Sequence, residues 1–203
     1  MVLLGSTCLQ LALIFCTLTL VLSLLYLANR DRRYFVGAQR GLRVSALLVL
    51  AATLALIHQL MTSNFGLEYV ARYSSAATPT MYKFAGLWAG MEGSLLFWLA
   101  VLGVYVLLVG YLNRRRNFSL MPVVNLVLEV VMLFILIITY FFENPFTPLP
   151  PGAEASVHGM GLNPLLQHPA MLIHPPVLYL GLYNSPGFSF DPIPSPRPGC
   201  SWG

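Results

Sequence analysis

The chain has 203 residues, of which 57% are hydrophobic and only 9% are charged, and its mean hydropathy is +0.73. A water-soluble domain carries roughly 25% charged residues, so this composition excludes an ordinary soluble globular protein and points to an integral membrane protein built from spans of about 20 apolar residues. The net charge of +4 does not signal nucleic-acid binding, because the basic residues gather in two short segments between apolar runs.

The first apolar run covers Leu3 to Ala28. It lacks a basic leader and a small-residue cleavage site and is too long for a signal-peptide core, so it is expected to stay as a membrane helix. A basic loop follows, with Arg30, Arg32, Arg33, Arg40 and Arg43. The second span is placed at Val44 to Met61, and a polar segment runs from Thr62 to Lys83. The third span is placed at Phe84 to Leu112, followed by Arg114, Arg115 and Arg116. The fourth runs from Met121 to Phe142. A loop rich in proline and glycine extends from Glu143 to Ala170, and a fifth apolar run begins at Met171 and stops near Tyr183. That last run is too short to span a bilayer, and Pro186, Pro192, Pro194, Pro196 and Pro198 cannot continue it as a helix.

Charge alternates along this layout. The segments at 29–43 and 113–119 hold eight arginines, whereas 62–83 and 143–170 hold only Arg72 and Lys83. The excess of Lys and Arg in cytoplasmic loops then puts the N-terminus outside, together with His158, His168 and His174. The cysteines at 8, 16 and 200 form no CxxC and no CxxCH. This excludes a redox or zinc motif and a c-type cytochrome, and leaves them as small packing residues.

Two stretches carry candidate chemistry. In WAGMEGSLLFW, Gly86, Gly90 and Gly93 fall within about 60° on a helical wheel, and Gly86-x-x-x-Gly90 fits close helix packing. Glu92 is expected on the other side of that helix, near Trp88 and about a turn and a half inside the apolar run. A carboxyl at such depth faces a bundle interior or a watery cavity, either as a hydrogen-bonded acid or beside a cofactor or proton path. Trp88 and Trp98 suit interfacial or packing roles. His58, near the outer end of the second span, is expected to be satisfied by a neighbouring helix. In QHPAMLIHPPVLYLG, Pro175 and Pro176 restrict His174 and suit a first helical turn. His174 is therefore expected at or just before the start of the fifth run, at the outer surface. An imidazole there can be a metal or haem ligand, a proton shuttle or a plain interfacial residue. Its spacing alone does not choose among them, since there is no HxxxH or HExxH.

The segment EYVARYSSAATPTMYKFAGLWAGMEGSLLFW, with NPF at 144–146 and GLNPLLQHPAMLIHPPVLYLG at 161–181, resembles the N-terminal part of CcmF/NrfE-type cytochrome c haem lyases. The family pattern W-x-G-x-E-G-S-L-x-x-W is met by Trp88, Gly90, Glu92, Gly93, Ser94, Leu95 and Trp98. The second pattern is met from Leu162 to Gly181. The resemblance implies cytochrome c maturation in a bacterial inner membrane, with haem attached to CxxCH motifs at the outer, periplasmic face. It implies haem as cofactor, a CcmE-type haem chaperone, a CcmH-type thioreductase and apocytochrome c as partners. It also makes His174 the first of two outer histidines that grip haem, the metal ligand of this chain. His168 and Met91 stand at variable family positions and take no role. Arg72 and Lys83, the cations of the outer segments, are candidates for the haem propionates on charge and topology alone.

The departures are equally specific. The family's tryptophan-rich motif, its second outer histidine and its transmembrane histidines have no counterpart in this sequence. The family chain is roughly three times longer. The expectation is an all-α, polytopic helical membrane protein of about four complete spans and a partial fifth. Residues 1–183 form the membrane domain, and 184–203 a proline-rich, atypical tail that reads as out of frame. Such a truncated piece would not complete haem ligation alone, so its standing as an enzyme stays open. The alternatives are a non-catalytic scaffold of the maturation complex, or a component that transports haem or another small molecule. The absence of internal repeats disfavours the transporter.

Overall fold

A computed structural model describes residues 2–113, 120–150, 159–162 and 173–179. His158, His168, Arg114 to Arg116, the end of the fifth run and the tail 184–203 lie outside the described residues. Four helices are long and apolar enough to cross a membrane: α1 (Val2–Asn29), α2 (Arg32–Met61), α5 (Met91–Leu112) and α6 (Met121–Phe141). Two short helices, α3 (Glu68–Tyr73) and α4 (Thr80–Ala85), and a 3₁₀ turn (Gly86–Trp88) lie between α2 and α5. Residues 173–179 are helical. The chain is thus a polytopic helical membrane protein, as its composition predicts.

The lengths explain the arginines. At 1.5 Å per residue, α6 with its 21 residues is about 32 Å long, close to the hydrocarbon thickness of about 30 Å. With 30 residues, α2 reaches about 45 Å, so one end must stand outside the hydrocarbon. That end carries Arg32, Arg33 and Arg40. Here the expected basic loop at 29–43 is corrected: only Arg30 and Asp31 break the helix. Asp31 caps α2 by accepting from Arg33 N–H at 2.9 Å, and arginine is a good helix former. The remaining arginines therefore continue α2 outward as helix.

Buried small side chains bring α1 and α2 together as an antiparallel pair. Thr19 meets Gly41, and the Ser45 hydroxyl donates to the Ala12 carbonyl at 3.3 Å. Leu9, Ala12, Cys16, Leu42, Ala46, Val49, Leu56, Leu96, Leu99, Met132 and Leu136 belong to one core shared by all four long helices. Large apolar side chains such as Leu18, Leu54, Val104 and Phe134 remain exposed. In water such surface would be unusual; in a bilayer it is the lipid-facing side.

At the end opposite the arginines, the two connecting segments are stitched to each other. Glu68 N–H donates to the Thr147 carbonyl at 3.1 Å, Leu149 N–H to Gly66 at 3.0 Å and Met160 N–H to Ala71 at 2.8 Å. Gly159 and Gly161 have φ of +70° and +75°, a region that suits glycine, and Gly159 lies against the Ser74 carbonyl and the Phe65 ring. The Phe146 ring covers Gly5 of α1, so the beginning of the chain closes against this same loop end.

Candidate functional site

The third span is not one helix. Its expected continuity from Phe84 to Leu112 is overturned between Gly86 and Gly90, where a 3₁₀ turn and an extended Gly90 (φ −121°, ψ 171°) precede α5. The cause is Tyr69, buried on α3. Its hydroxyl donates to the Gly86 carbonyl at 2.7 Å, with the Leu87 carbonyl at 3.2 Å, and accepts from Gly90 N–H at 3.3 Å. A side-chain hydroxyl thereby satisfies backbone groups that the helix would otherwise pair. Gly90 and Gly93 leave room for this: Tyr73 packs against Gly90, and the Leu87 carbonyl and Tyr69 hydroxyl against Gly93. The three glycines therefore do not share one helix face, and the expected helix-packing stripe is replaced by a tyrosine-filled break. Burial pushes the Tyr69 phenol well above its usual range, and the nearby Glu92 carboxylate adds to the effect.

Glu92 moves with this correction. It stands in the first turn of α5, where a negative charge is favoured by the helix N-terminus, and its side chain is 20% exposed. It lies 3.9 Å from Arg72, whose guanidinium also binds Glu68 at 2.6 Å. Glu68, Tyr69, Glu92, Phe142, Glu143, Asn144 and Thr147 line a cleft of about 210 Å³. Lys83, on α4, binds the Ser63 hydroxyl at 2.7 Å. His58 is exposed on α2, which overturns its expected satisfaction by a neighbouring helix: its position faces outward from the core.

His174 is exposed on the helix at 173–179. Five residues further along that helix, the Tyr179 ring lies 5.5 Å from Phe97 in a tilted contact and 5.6 Å from Trp98 in an edge-on one. Phe97 lies 5.4 Å from Trp88, and Trp88 lies 5.3 Å from Phe84 in an edge-on contact. A continuous series of rings thus joins the His174 helix to the start of α5. Among the described residues the buried Trp98 indole N–H has no hydrogen-bond partner. Arg72 and Glu92 are brought together, and Trp88 and the His174 helix are joined through Phe97, whereas Lys83 is held separately by Ser63. Among the described residues no group of three His, Cys, Asp or Glu side chains could hold a metal ion, so His174 offers a single imidazole. Tyr69, Glu68 and Glu143 were missed by sequence reasoning. No spacing rule points to them, although Tyr69 stands in the EYVARY segment that carries part of the resemblance.

Helices of this length and polarity around a stitched loop end define a multi-pass membrane protein. A family model described as Cytochrome C assembly protein matches residues 88–185, which include Trp88, Glu92 and His174. The cytochrome c-type biogenesis protein CcmF of Pseudomonas fluorescens is 33% identical over 188 residues, covering 92% of this chain and 28% of that protein. The cytochrome c-type biogenesis protein NrfE of Haemophilus influenzae is 37% identical over 145 residues, covering 68% of this chain and 22% of that protein. A solved structure of the cytochrome c heme lyase CcmF superposes with a TM-score of 0.73 at 31% identity, covering 89% of this chain and 28% of that chain. The chain belongs to the CcmF/NrfE-type cytochrome c biogenesis proteins, and it spans about a quarter of the length of these relatives.

Proposed function

We propose that this chain handles haem during cytochrome c maturation, as the N-terminal part of a haem-attaching membrane assembly. The observation that carries the reading is the ring series from Tyr179 to Phe84, which ties the helix bearing the exposed His174 to Trp88 inside the family-matched segment. Neutral imidazole is a common axial ligand of haem iron. Aromatic faces suit a flat macrocycle, and the Trp98 N–H, unpartnered among the described residues, leaves one polar donor among those rings. The residues present therefore fit one side of a haem grip, with His174 as the ligand, and with the buried Trp88 and its ring neighbours holding the His174 helix against α5. Bound haem would supply the iron centre and the vinyl groups to which cysteine thiols of an apocytochrome add as thioethers.

Electrostatics refine the assignment. The cleft between α3 and α5 is lined by three carboxylates, Glu68, Glu92 and Glu143, and would repel haem propionates. Arg72 is already shared between two of them. Of the two sequence-predicted cations, Lys83 is thus the better propionate partner, and Glu92 serves to position Arg72 and the start of α5. In this reading the loop end faces the periplasm of a bacterial inner membrane. A CcmE-type chaperone, a CcmH-type thioreductase and apocytochrome c would approach it there.

The test is haem retention by the full chain purified from membranes and supplied with hemin, read by its Soret absorbance. Loss in His174→Gly, with recovery on adding imidazole, is expected. Equal retention in the variant would sink the ligand role and favour a scaffold that binds other maturation proteins without holding haem. Unchanged retention in Lys83→Gln would remove the propionate assignment alone.

A further inference from the structure

Between α1 and α6 lies a polar group that the proposed haem site does not use. Glu129 is 0% exposed, about two turns into α6. Among the described residues neither of its carboxyl oxygens has a hydrogen-bond partner. Asn125 precedes it by one helical turn and so shares its face. Asn125 is 4% exposed, and its Nδ2 is also unpartnered. From α1, the Ser23 hydroxyl faces the Glu129 carboxyl without closing a well-formed hydrogen bond. The Cys16 thiol donates instead to the Glu129 main-chain carbonyl, at 3.6 Å. Cys16 is the titratable group facing Glu129 from α1. Among the described residues no Arg, Lys or His comes within ion-pair distance of it from α1, α2 or α5.

An unpaired carboxylate in such surroundings is strongly disfavoured, whereas the neutral acid needs only hydrogen-bonding neighbours. Buried polar groups that lack protein partners are commonly joined by internal water, which makes about three hydrogen bonds. Glu129, Asn125 and Ser23 supply that number of partners. All three lie toward the arginine end of the bundle, because Ser23 is near the end of α1 and Asn125 near the start of α6.

We propose that Glu129, Asn125 and Ser23 form an internal hydrated proton site, in which Glu129 holds a solvent-derived proton as the neutral acid and water bridges it to the other two groups. The site is independent of haem, and its test does not need haem.

Infrared spectroscopy of the full chain in phosphatidylcholine vesicles at neutral pH examines it directly. A carbonyl band of a protonated carboxyl is expected. It should be absent in Glu129→Gln, move to lower frequency after transfer to D2O, and shift in Asn125→Leu. Should the Gln variant fail to fold, Glu129→Asp, which keeps the carboxyl but moves its band, gives the same assignment. Absence of the band means an ionised Glu129 and overturns the proposal. A band that ignores D2O means a dry site and overturns it equally, as does a band unmoved by Asn125→Leu.

Discussion

Gly93 illustrates how one hydrogen atom in place of a side chain can shape a site. A Cβ there would collide with the Leu87 carbonyl and the Tyr69 hydroxyl, and neither is the free end of a flexible chain. Overpacking of this kind costs about 1–3 kcal/mol. Gly93→Ala is therefore expected to lower the unfolding midpoint in detergent and to disturb the turn that carries Trp88. Tyr69 yields a pH prediction. Burial raises its pKa in the folded state above the ordinary value of about 10,, so the fold favours the neutral phenol. The stability gained this way is complete below pH 10 and is lost as pH rises above it toward the folded-state value. An alkaline unfolding titration should show this loss, and Tyr69→Phe should weaken the pH dependence while lowering stability at neutral pH, because the Gly86 carbonyl and Gly90 N–H lose their partner. A Tyr69→Phe protein with an unaltered alkaline transition would show that the phenol does not control it.

At the scale of elements, the α1–α2 hairpin depends on a two-residue break. Arg30 has φ of +56°, outside the usual range for a side-chain-bearing residue, and Asp31 then caps α2. Removing such a cap costs about 1 kcal/mol. Asp31→Ala is expected to reduce thermal stability by that order, whereas Asp31→Asn, which retains the acceptor, should not. Equal stability of the two variants would mean that the helices hold the hairpin without the cap. The Arg72–Glu68 pair is different in kind. Both side chains are well exposed, at 49% and 38%, and such pairs contribute about 0–1 kcal/mol. Its use is to orient Arg72 toward Glu92, more than to hold α3 in place.

At the scale of the molecule, four long helices run between an arginine end and a stitched loop end. From the charge asymmetry we propose that the arginine end lies inside, which is checkable by labelling single cysteines in a chain whose own cysteines are replaced. Ser75→Cys and Thr147→Cys should react from the periplasmic side of sealed vesicles, and Arg33→Cys only after the membrane is opened. Reaction of all three from one side would overturn the orientation and the periplasmic haem reading with it. The family relationship is secure at this scale, since it extends over about nine-tenths of the chain. The chain spans about a quarter of the length of those relatives.

The sequence by itself determined the membrane class, the presence of four spans with the bounds of the first and fourth to within a residue, and the family. Apolar length and arginine clustering are local properties that a bilayer reads directly, and the two motif blocks are contiguous. The continuation of α2 through its arginines was legible in part, from Asp31 as a cap, but a charge count treats helix and loop alike. The break at Gly86–Gly90 was decided by tertiary structure, because the Tyr69 hydroxyl that replaces the helical bonds arrives from a different helix. The surfacing of Glu92 followed from that break. Glu129 and Asn125 sat in plain view inside the fourth run, yet only the packing of α1 against α6 established that they are buried together. One turn of spacing sets the shared face of two residues; what that face meets depends on a helix about a hundred residues away.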